Sequence, residues 1–245
     1  MLGAEIPFEK FSKDTRVTFF TGAGISAESG IPTFRSTGGL WSKYDPVKLA
    51  SPEGFNENPQ LVLDWYAWRR DAIRLADPNP AHLSITKFQK LFHDSAVITQ
   101  NVDSLHSRAG NNSVLELHGN IFRERCNNCG EENGLNSDER TKIRYCHCGG
   151  MLRPDVVWFG ETLENQKLEQ AFELTGACQI FFSLGTSTQV YPAAQLPFYA
   201  KEHGAYTIEI NTERTPFSNH TDLFIKDAAG HALPNLYEEF YAAVS

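Results

Sequence analysis

The 245-residue sequence predicts an α/β protein with a parallel sheet core, a helical insertion and a smaller zinc-binding module. Three observations carry that expectation. Short apolar runs end in small or polar residues, helical patterns fill the spaces between them, and four of the five cysteines crowd into residues 126–148.

The runs are Val17–Phe20, leading into TGAG; Ala96–Thr99, leading into QNVD; Gln179–Leu184, leading into GTS; Tyr206–Ile210, leading into NTE; and the weaker Leu223–Ile225. Their length and lack of two-residue alternation suit strands buried on both faces of a parallel sheet. Helical patterns cover 81–92, 161–175, 190–203 and 234–243. An open α/β sheet binds ligands at the carboxyl ends of its strands, where the polar tails all lie, so one composite site is expected. The whole of 1–245 reads as a single domain whose core is discontinuous, with a helical insertion over 36–82 and the cysteine module over 120–155.

Composition narrows the function. A net charge of -8 argues against broad adhesion to nucleic acid or anionic lipid. No apolar stretch is long enough to span a membrane, and the start, MLGAEIPFEKF, lacks the basic and apolar regions of a signal peptide. A cytoplasmic location is expected, with the oligomeric state left open, a monomer included.

In TGAGIS, Gly22 and Gly24 permit a tight βα turn and close approach to a pyrophosphate at a helix N-terminus. The match to a dehydrogenase fingerprint is imperfect: Ala27 stands where the third glycine belongs, and no acidic residue at the end of a second strand lies about 20 positions on. No GxxxxGK[ST] occurs, which disfavours a phosphate-loop ATPase.

Cys126-x2-Cys129 and Cys146-x-Cys148 supply four soft ligands for tetrahedral zinc. The short second spacing requires either a tight turn ending at Gly149-Gly150 or His147 in place of one cysteine. A complete ligand set leaves no open position, so the zinc is expected to be structural. His118 follows an apolar run and precedes Gly119; a general-base role and a structural role are both open to it. Gln100, Asn101 and Asp103 sit at a strand's carboxyl end, where they can hold hydroxyl and amide groups or simply close a turn.

The ordered blocks TGAGIS-x-x-SGIPTFR (21–35), TQNVDSLH (99–106), LHG (117–119), the paired cysteines, RPDVVWFGE (153–161), GTS (185–187) and NTE (211–213) closely resemble the sirtuins, NAD-dependent protein-lysine deacylases. The resemblance runs from about residue 14 to 240. It implies a Rossmann-like core, a zinc module and a cleft between them, with NAD+ as co-substrate, one structural zinc and acylated lysine side chains of proteins as substrate. It implies that His118 is the general base acting through the nicotinamide-ribose hydroxyls, while the acyl oxygen attacks C1′ as nicotinamide leaves. Products are then free lysine and O-acyl-ADP-ribose. By the same resemblance Gly22, Ala23, Gly24, Ile31, Phe34 and Arg35 belong to the cofactor loop. Gln100, Asn101 and Asp103 hold the ribose and carboxamide. Gly185, Thr186 and Ser187 contact phosphate and ribose, Asn211 and Glu213 the adenosine ribose, and Ala229 lies near the adenine. Val157, Phe159 and Gly160 grip the acyl-lysine. Thr33 and Asp227 depart from common family residues.

Residues 64–73, DWYAWRRDAI, address the acyl group. On a helical wheel Leu61, Trp65, Trp68 and Ala72 form one apolar stripe, and Val62, Tyr66, Arg69 and Ile73 a second line, with Arg70 expected toward solvent. Arg69 could snorkel to water. The Tyr-x-x-Arg pattern, however, resembles sirtuins that remove succinyl and malonyl groups, implying a carboxylate received by Tyr66 and Arg69. The expected activity covers succinyl, malonyl and acetyl groups. The alternatives are a strict deacetylase, an NAD-dependent ADP-ribosyltransferase, or a silent ADP-ribose-binding module.

Overall fold

The chain enters its main sheet at Val17–Thr21 (β1), five residues buried on both faces. The computed structural model describes residues 6–34, 39–134 and 141–245. Arg35 therefore lies outside the described residues. A 3-10 turn over Ala23–Ser29 follows β1. Then come four helices: Leu40–Lys43 (α1), Pro46–Leu49 (α2), Pro52–Glu57 (α3) and Pro59–Leu75 (α4). Proline in the first turn and a side-chain cap start each of the last three; at α4 the Asn58 side chain accepts from the Leu61 N–H.

Pro80–Leu91 (α5) leads into Ser95–Thr99 (β2), then Leu105–Arg108 (α6) and Val114–Glu116 (β3). Gly119–Cys126 (β4), Glu132–Gly134 (β5) and Leu152–Val156 (β6) form a separate antiparallel sheet in the order β5-β4-β6. The chain returns to the main sheet through Asn165–Ala177 (α7), Ile180–Leu184 (β7), Leu196–Glu202 (α8), Tyr206–Asn211 (β8) and Leu223–Lys226 (β9). Ala229–Val244 (α9) closes the described chain.

The main sheet is parallel throughout, in the order β3-β2-β1-β7-β8-β9. The early strands extend to one side of β1 and the late strands to the other. The strand order thus reverses beside β1, which opens a crevice at the carboxyl ends there. Each face is covered. On one, α5 and α9 pack Phe88 and Phe240 against Phe19 and Phe182, whose rings stack at 4.8 Å. On the other, Ala171 of α7 and Leu196 of α8 cover Phe20, Ile98 and Phe181.

All five expected strands form, and the helices shift at their ends. The 190–203 pattern resolves into a 3-10 turn over Ala193–Gln195 and then α8. The 161–175 pattern starts late, at Asn165, and Glu161 before it is held in ion pairs with Arg125 and Arg153. The 234–243 pattern starts early: Pro234 lies inside α9 instead of opening it. β3 reads in sequence only as an apolar run. No helix of the described residues is long and apolar enough to cross a membrane.

The wheel of α4 needs two corrections. Leu61, Trp68 and Ala72 face outward, with Leu61 and Trp68 about half exposed, while Val62, Tyr66, Arg69 and Ile73 are buried. Arg70 does not face solvent. It is fully buried, and its Nε donates to the Ile121 carbonyl of β4 at 2.6 Å. The helix is sandwiched between the insertion's own apolar cluster and the small sheet, so two of its sides are covered and a single-stripe reading fails.

Two imidazoles lie buried between α5 and α6. The His82 and His106 rings meet edge to face at 4.9 Å. Burial, reinforced by His106, pushes His82 down to about 3 from its ordinary 6.5. Burial also lowers His106. Above pH 6.5 both folded and unfolded His82 are neutral; below it only the unfolded chain takes up the proton, until about pH 3. Stability is therefore complete above pH 6.5 and falls as acid is added, by up to about 1.4 kcal/mol per pH unit for each such group. In His82→Gln, whose amide can still accept from the Asn79 N–H as the His82 ring does, thermal melts between pH 7.5 and 4.5 are expected to show a shallower loss of Tm than the parent. Equal slopes would contradict the buried neutral state.

Candidate functional site

A cavity of about 850 Å³ opens at the carboxyl ends of β1, β2, β7 and β8 and continues beneath residues 156–165. Its floor depends on glycine. A Cβ at Gly22 would lie 2.8 Å from the Thr186 Cα, and one at Gly24 would lie 2.7 Å from the Gly185 Cα. The loops after β1 and β7 thus touch backbone to backbone, joined by the Gly24 N–H donating to the Gly185 carbonyl at 2.8 Å.

Thr186 gathers the other strand ends. Its hydroxyl accepts from Gln100 Nε2 at 2.8 Å and its carbonyl accepts from Asn211 Nδ2 at 2.8 Å. Asn101 is held by its backbone N–H to Thr99 Oγ1 at 3.0 Å, and its Nδ2 donates to the Gly22 carbonyl at 3.1 Å and to Ser26 Oγ at 3.0 Å. Ser26 in turn donates to Asp103 Oδ2 at 2.7 Å, and Asp103 Oδ1 accepts from the Leu105 N–H at 2.9 Å. Sequence reasoning did not single out Ser26 or the joining role of Thr186.

His118 lines the cavity from the turn between β3 and β4. Its Nδ1 lies 3.0 Å from the Gln100 carbonyl. A carbonyl only accepts, so Nδ1 carries the proton and Nε2 carries the lone pair in the neutral ring. Gly119 makes the turn possible: its φ is +78°, and a Cβ there would fall 2.1 Å from the Asp155 carbonyl oxygen. The His118 carbonyl accepts from the Val157 N–H at 3.0 Å, which ties the histidine to the segment running along the cavity's mouth. Phe159 in that segment is exposed, and its N–H donates to the Ala50 carbonyl at 2.9 Å.

Tyr66 and Arg69 bring α4 into the same cavity. Arg69 is only 6% exposed, and its guanidinium carbon lies 5.1, 4.9 and 5.7 Å from the ring centres of Phe34, Trp65 and Tyr66. Among the described residues no carboxylate pairs with it. Burial lowers its pKa, opposed by Tyr66 and Asp103, and burial raises that of Tyr66. Trp158, which sequence reasoning passed over within RPDVVWFGE, lines the cavity and donates from Nε1 to the Tyr66 hydroxyl at 2.8 Å.

Of the remaining residues expected here, Ala23, Phe34, Gly160, Ser187 and Glu213 also line the cavity. Three do not. Asp103 is buried behind Ser26, Ile31 packs against the apolar cluster of the insertion, and Ala229 is buried at the start of α9. Unanticipated lining comes from Gln189, Val190, Tyr191 and Arg214. These lie on loops whose sequence carries no signal for a ligand.

The cysteine cluster stands apart from this cavity. The four sulfurs of Cys126, Cys129, Cys146 and Cys148 lie within 4.8 Å of one another and form no disulfide. The Cys126–Cys148 and Cys129–Cys146 separations are 3.4 and 3.7 Å. A tetrahedron with Zn–S near 2.3 Å has edges of about 3.8 Å, which these approach. The short second spacing is met by a tight turn, in which the Gly149 N–H donates to the Cys146 carbonyl at 2.9 Å and the Cys146 N–H to the Gly150 carbonyl at 2.8 Å. His147 is exposed, 3.0 Å from a Glu131 carboxylate oxygen, and joins Cys146 and Glu131 in a second close group.

Comparison with known proteins gives a consistent result. The Sir2 family model matches residues 22–192. An NAD-dependent protein deacylase of Aquifex aeolicus (strain VF5) is 48% identical over 228 residues, covering 92% of this chain and 95% of its own. A Sir2 homolog solved as an NAD complex is 38% identical with a TM-score of 0.90, covering 100% of this chain and 98% of its own. A Sir2 structure with a p53 peptide and NAD+ is 31% identical with a TM-score of 0.81, covering 93% and 94%.

The loop contact beneath the cavity is directly testable. In Gly24→Ala the new methyl meets backbone atoms at 2.7 Å, so the two loops must separate. A destabilisation of about 1–3 kcal/mol is expected in urea unfolding. An unchanged midpoint would show that the loops do not depend on this approach.

Proposed function

The chain belongs to the Sir2 family, and from that premise we propose that it is an NAD-dependent protein-lysine deacylase accepting succinyl and malonyl groups as well as acetyl. The observation that carries the acyl preference is Arg69, a buried guanidinium at the cavity with no carboxylate partner among the described residues. A buried cation without an anion is costly unless a ligand supplies one. A dicarboxylic acyl group would bring that anion, and Arg69 with Tyr66 would receive it by charge-assisted hydrogen bonds. An acetyl group has no such end, so it enters without help from Arg69.

The cavity suits NAD+. Its volume of about 850 Å³ falls in the range of cofactor sites. The turn at Ala23 has no side-chain cap at Gly22, and the small residues Gly22, Ala23 and Gly24 let a phosphate approach the backbone closely. In this reading Gly22, Ala23, Gly24, Thr186 and Ser187 cradle the phosphates, Asn211 and Glu213 the adenosine ribose, and Gln100 and Asn101 the nicotinamide half, with Asp103 acting through Ser26. Ile31, Phe34, Arg35, Gly185 and Ala229 complete the cofactor surroundings. NAD+ supplies the sugar carbon that the acyl oxygen attacks and the nicotinamide that departs.

The protein's own contribution is orientation and proton transfer. His118, held by the Gln100 carbonyl at 3.0 Å with its lone pair on Nε2, takes the proton of a ribose hydroxyl. Val157, Phe159 and Gly160 line the cavity's mouth, where an acyl-lysine side chain would enter. We assign one structural zinc to Cys126, Cys129, Cys146 and Cys148, a full set that leaves no position for substrate. The region 36–82 then serves acyl discrimination, and the module 120–155 holds one wall of the cleft.

With purified protein, NAD+ and matched peptides, Arg69→Met is expected to lower kcat/KM on succinyl-lysine about 100-fold, the worth of a lost charged fork, and to change acetyl-lysine turnover far less. Unchanged desuccinylation would refute the carboxylate reading. His118→Tyr is expected to abolish both activities while metal content stays at one zinc per chain; residual turnover near the parent's would refute the general base. Zinc removal by a chelator is expected to lower Tm, and a Tm independent of metal would refute the structural assignment.

A further inference from the structure

The hydroxyl of Tyr66 has one proton to give, and its direction matters to any acyl group beside Arg69. The indole Nε1 of Trp158 is a donor only, and it lies 2.8 Å from that hydroxyl. The phenol oxygen must therefore accept from Trp158, and its own hydrogen cannot point at the indole. Burial pushes the Tyr66 phenol up, so it keeps its proton at neutral pH. Tyr66 lines the cavity together with Arg69, so that proton is available to a group bound there.

Trp158 is itself tightly held. The Arg153 guanidinium sits 3.9 Å from the indole centre, and the Phe55 ring lies 5.4 Å away on a tilt. The Trp158 backbone N–H donates to Glu161 Oε2 at 2.8 Å. That carboxylate also pairs with Arg125 at 3.0 Å and, through its other oxygen, with Arg153. Arg153 completes the frame by donating from Nη1 to the Val156 carbonyl at 3.1 Å. Arg125 and Arg153 belong to β4 and β6, so the small sheet fixes the indole through Glu161.

We propose that Trp158 is a positioning residue for acyl selectivity: its indole N–H commits Tyr66 to donate toward the distal carboxylate of a dicarboxylic acyl-lysine. This rests on the reading of Tyr66 and Arg69 as the carboxylate site. Without the indole, the phenol is free to turn its proton away and offer a lone pair, which repels a carboxylate. An acetyl group is indifferent to that choice, so selectivity changes more than turnover.

The test measures kcat/KM on matched succinyl- and acetyl-lysine peptides for the parent, Trp158→Phe, Tyr66→Phe and the double variant, with Arg69→Met alongside. The expected result is an approximately tenfold fall in the succinyl-to-acetyl ratio for Trp158→Phe, the equivalent of one hydrogen bond to a charge. Because Trp158 acts through the Tyr66 hydroxyl, the substitution should add little once Tyr66 is phenylalanine. An equal loss on both peptides, or an undiminished effect in the Tyr66→Phe background, overturns the proposal. Should Trp158→Phe fail to fold, a benzothienyl analogue at 158 replaces the ring N–H by sulfur at nearly the same shape, and an unchanged ratio there overturns it equally. If Arg69→Met also leaves desuccinylation intact, the carboxylate site itself is wrong and both readings fall. If Arg69→Met is severe and Trp158→Phe neutral, only the role of Trp158 falls.

Discussion

The backbone contact between Gly24 and Gly185 is the constraint on which the rest of the site depends. A parallel sheet whose order reverses beside β1 necessarily leaves the loops after β1 and β7 as neighbours. Only residues without a side chain let them touch, since a Cβ at Gly22 or Gly24 would stand within 3 Å of backbone atoms opposite. That closeness puts Thr186 where Gln100 and Asn211 both reach it, and Gly22 where Asn101 does. Gln100 then offers its carbonyl to His118, so the histidine inherits its position from the same contact.

The site divides its work between the two halves of the molecule. In the proposed reading, groups borne on the main sheet and the turn after β3 bear on whether an acyl group is removed at all, and groups borne on α4, framed by the small sheet, bear on which acyl group it is. The second set is tied to the small sheet by long-range hydrogen bonds. Arg70 ties α4 to β4 through the Ile121 carbonyl, Gln60 reaches the Thr141 carbonyl at 2.7 Å, and Trp158 meets Tyr66. The cysteine cluster lies at the end of β4 and β6 where Cys126 pairs with Leu152, on the same two strands that pack against α4.

Much of this was legible in the sequence because it is local. The strand runs, the paired glycines of TGAGIS, the four cysteines and the polar tails after each strand carry their meaning in a few adjacent residues, and the strands formed as read. What escaped was decided by distant contacts. The burial of Arg70 depends on Ile121, 51 residues away, and the Trp158–Tyr66 bond spans 92 residues. A helical wheel assumes one covered side, so for α4, covered on two, it put Leu61 and Trp68 inward and Arg70 outward, each the reverse of what is found. The turn that reconciles the Cys146-x-Cys148 spacing was foreseeable from Gly149-Gly150, whereas Ser26 and Thr186, as hydrogen-bond junctions, leave no trace in composition or period.

In the proposed function, acyl removal is coupled to cleavage of NAD+ in one cavity. The most direct measurement is product stoichiometry by mass spectrometry after incubation with NAD+ and a succinyl-lysine peptide. Nicotinamide, deacylated peptide and an ADP-ribose carrying the acyl group are expected in equal amounts, with none formed when either substrate is omitted. Loss of the acyl group without NAD+, or its release only as the free acid with no acylated ADP-ribose at any time, would contradict it.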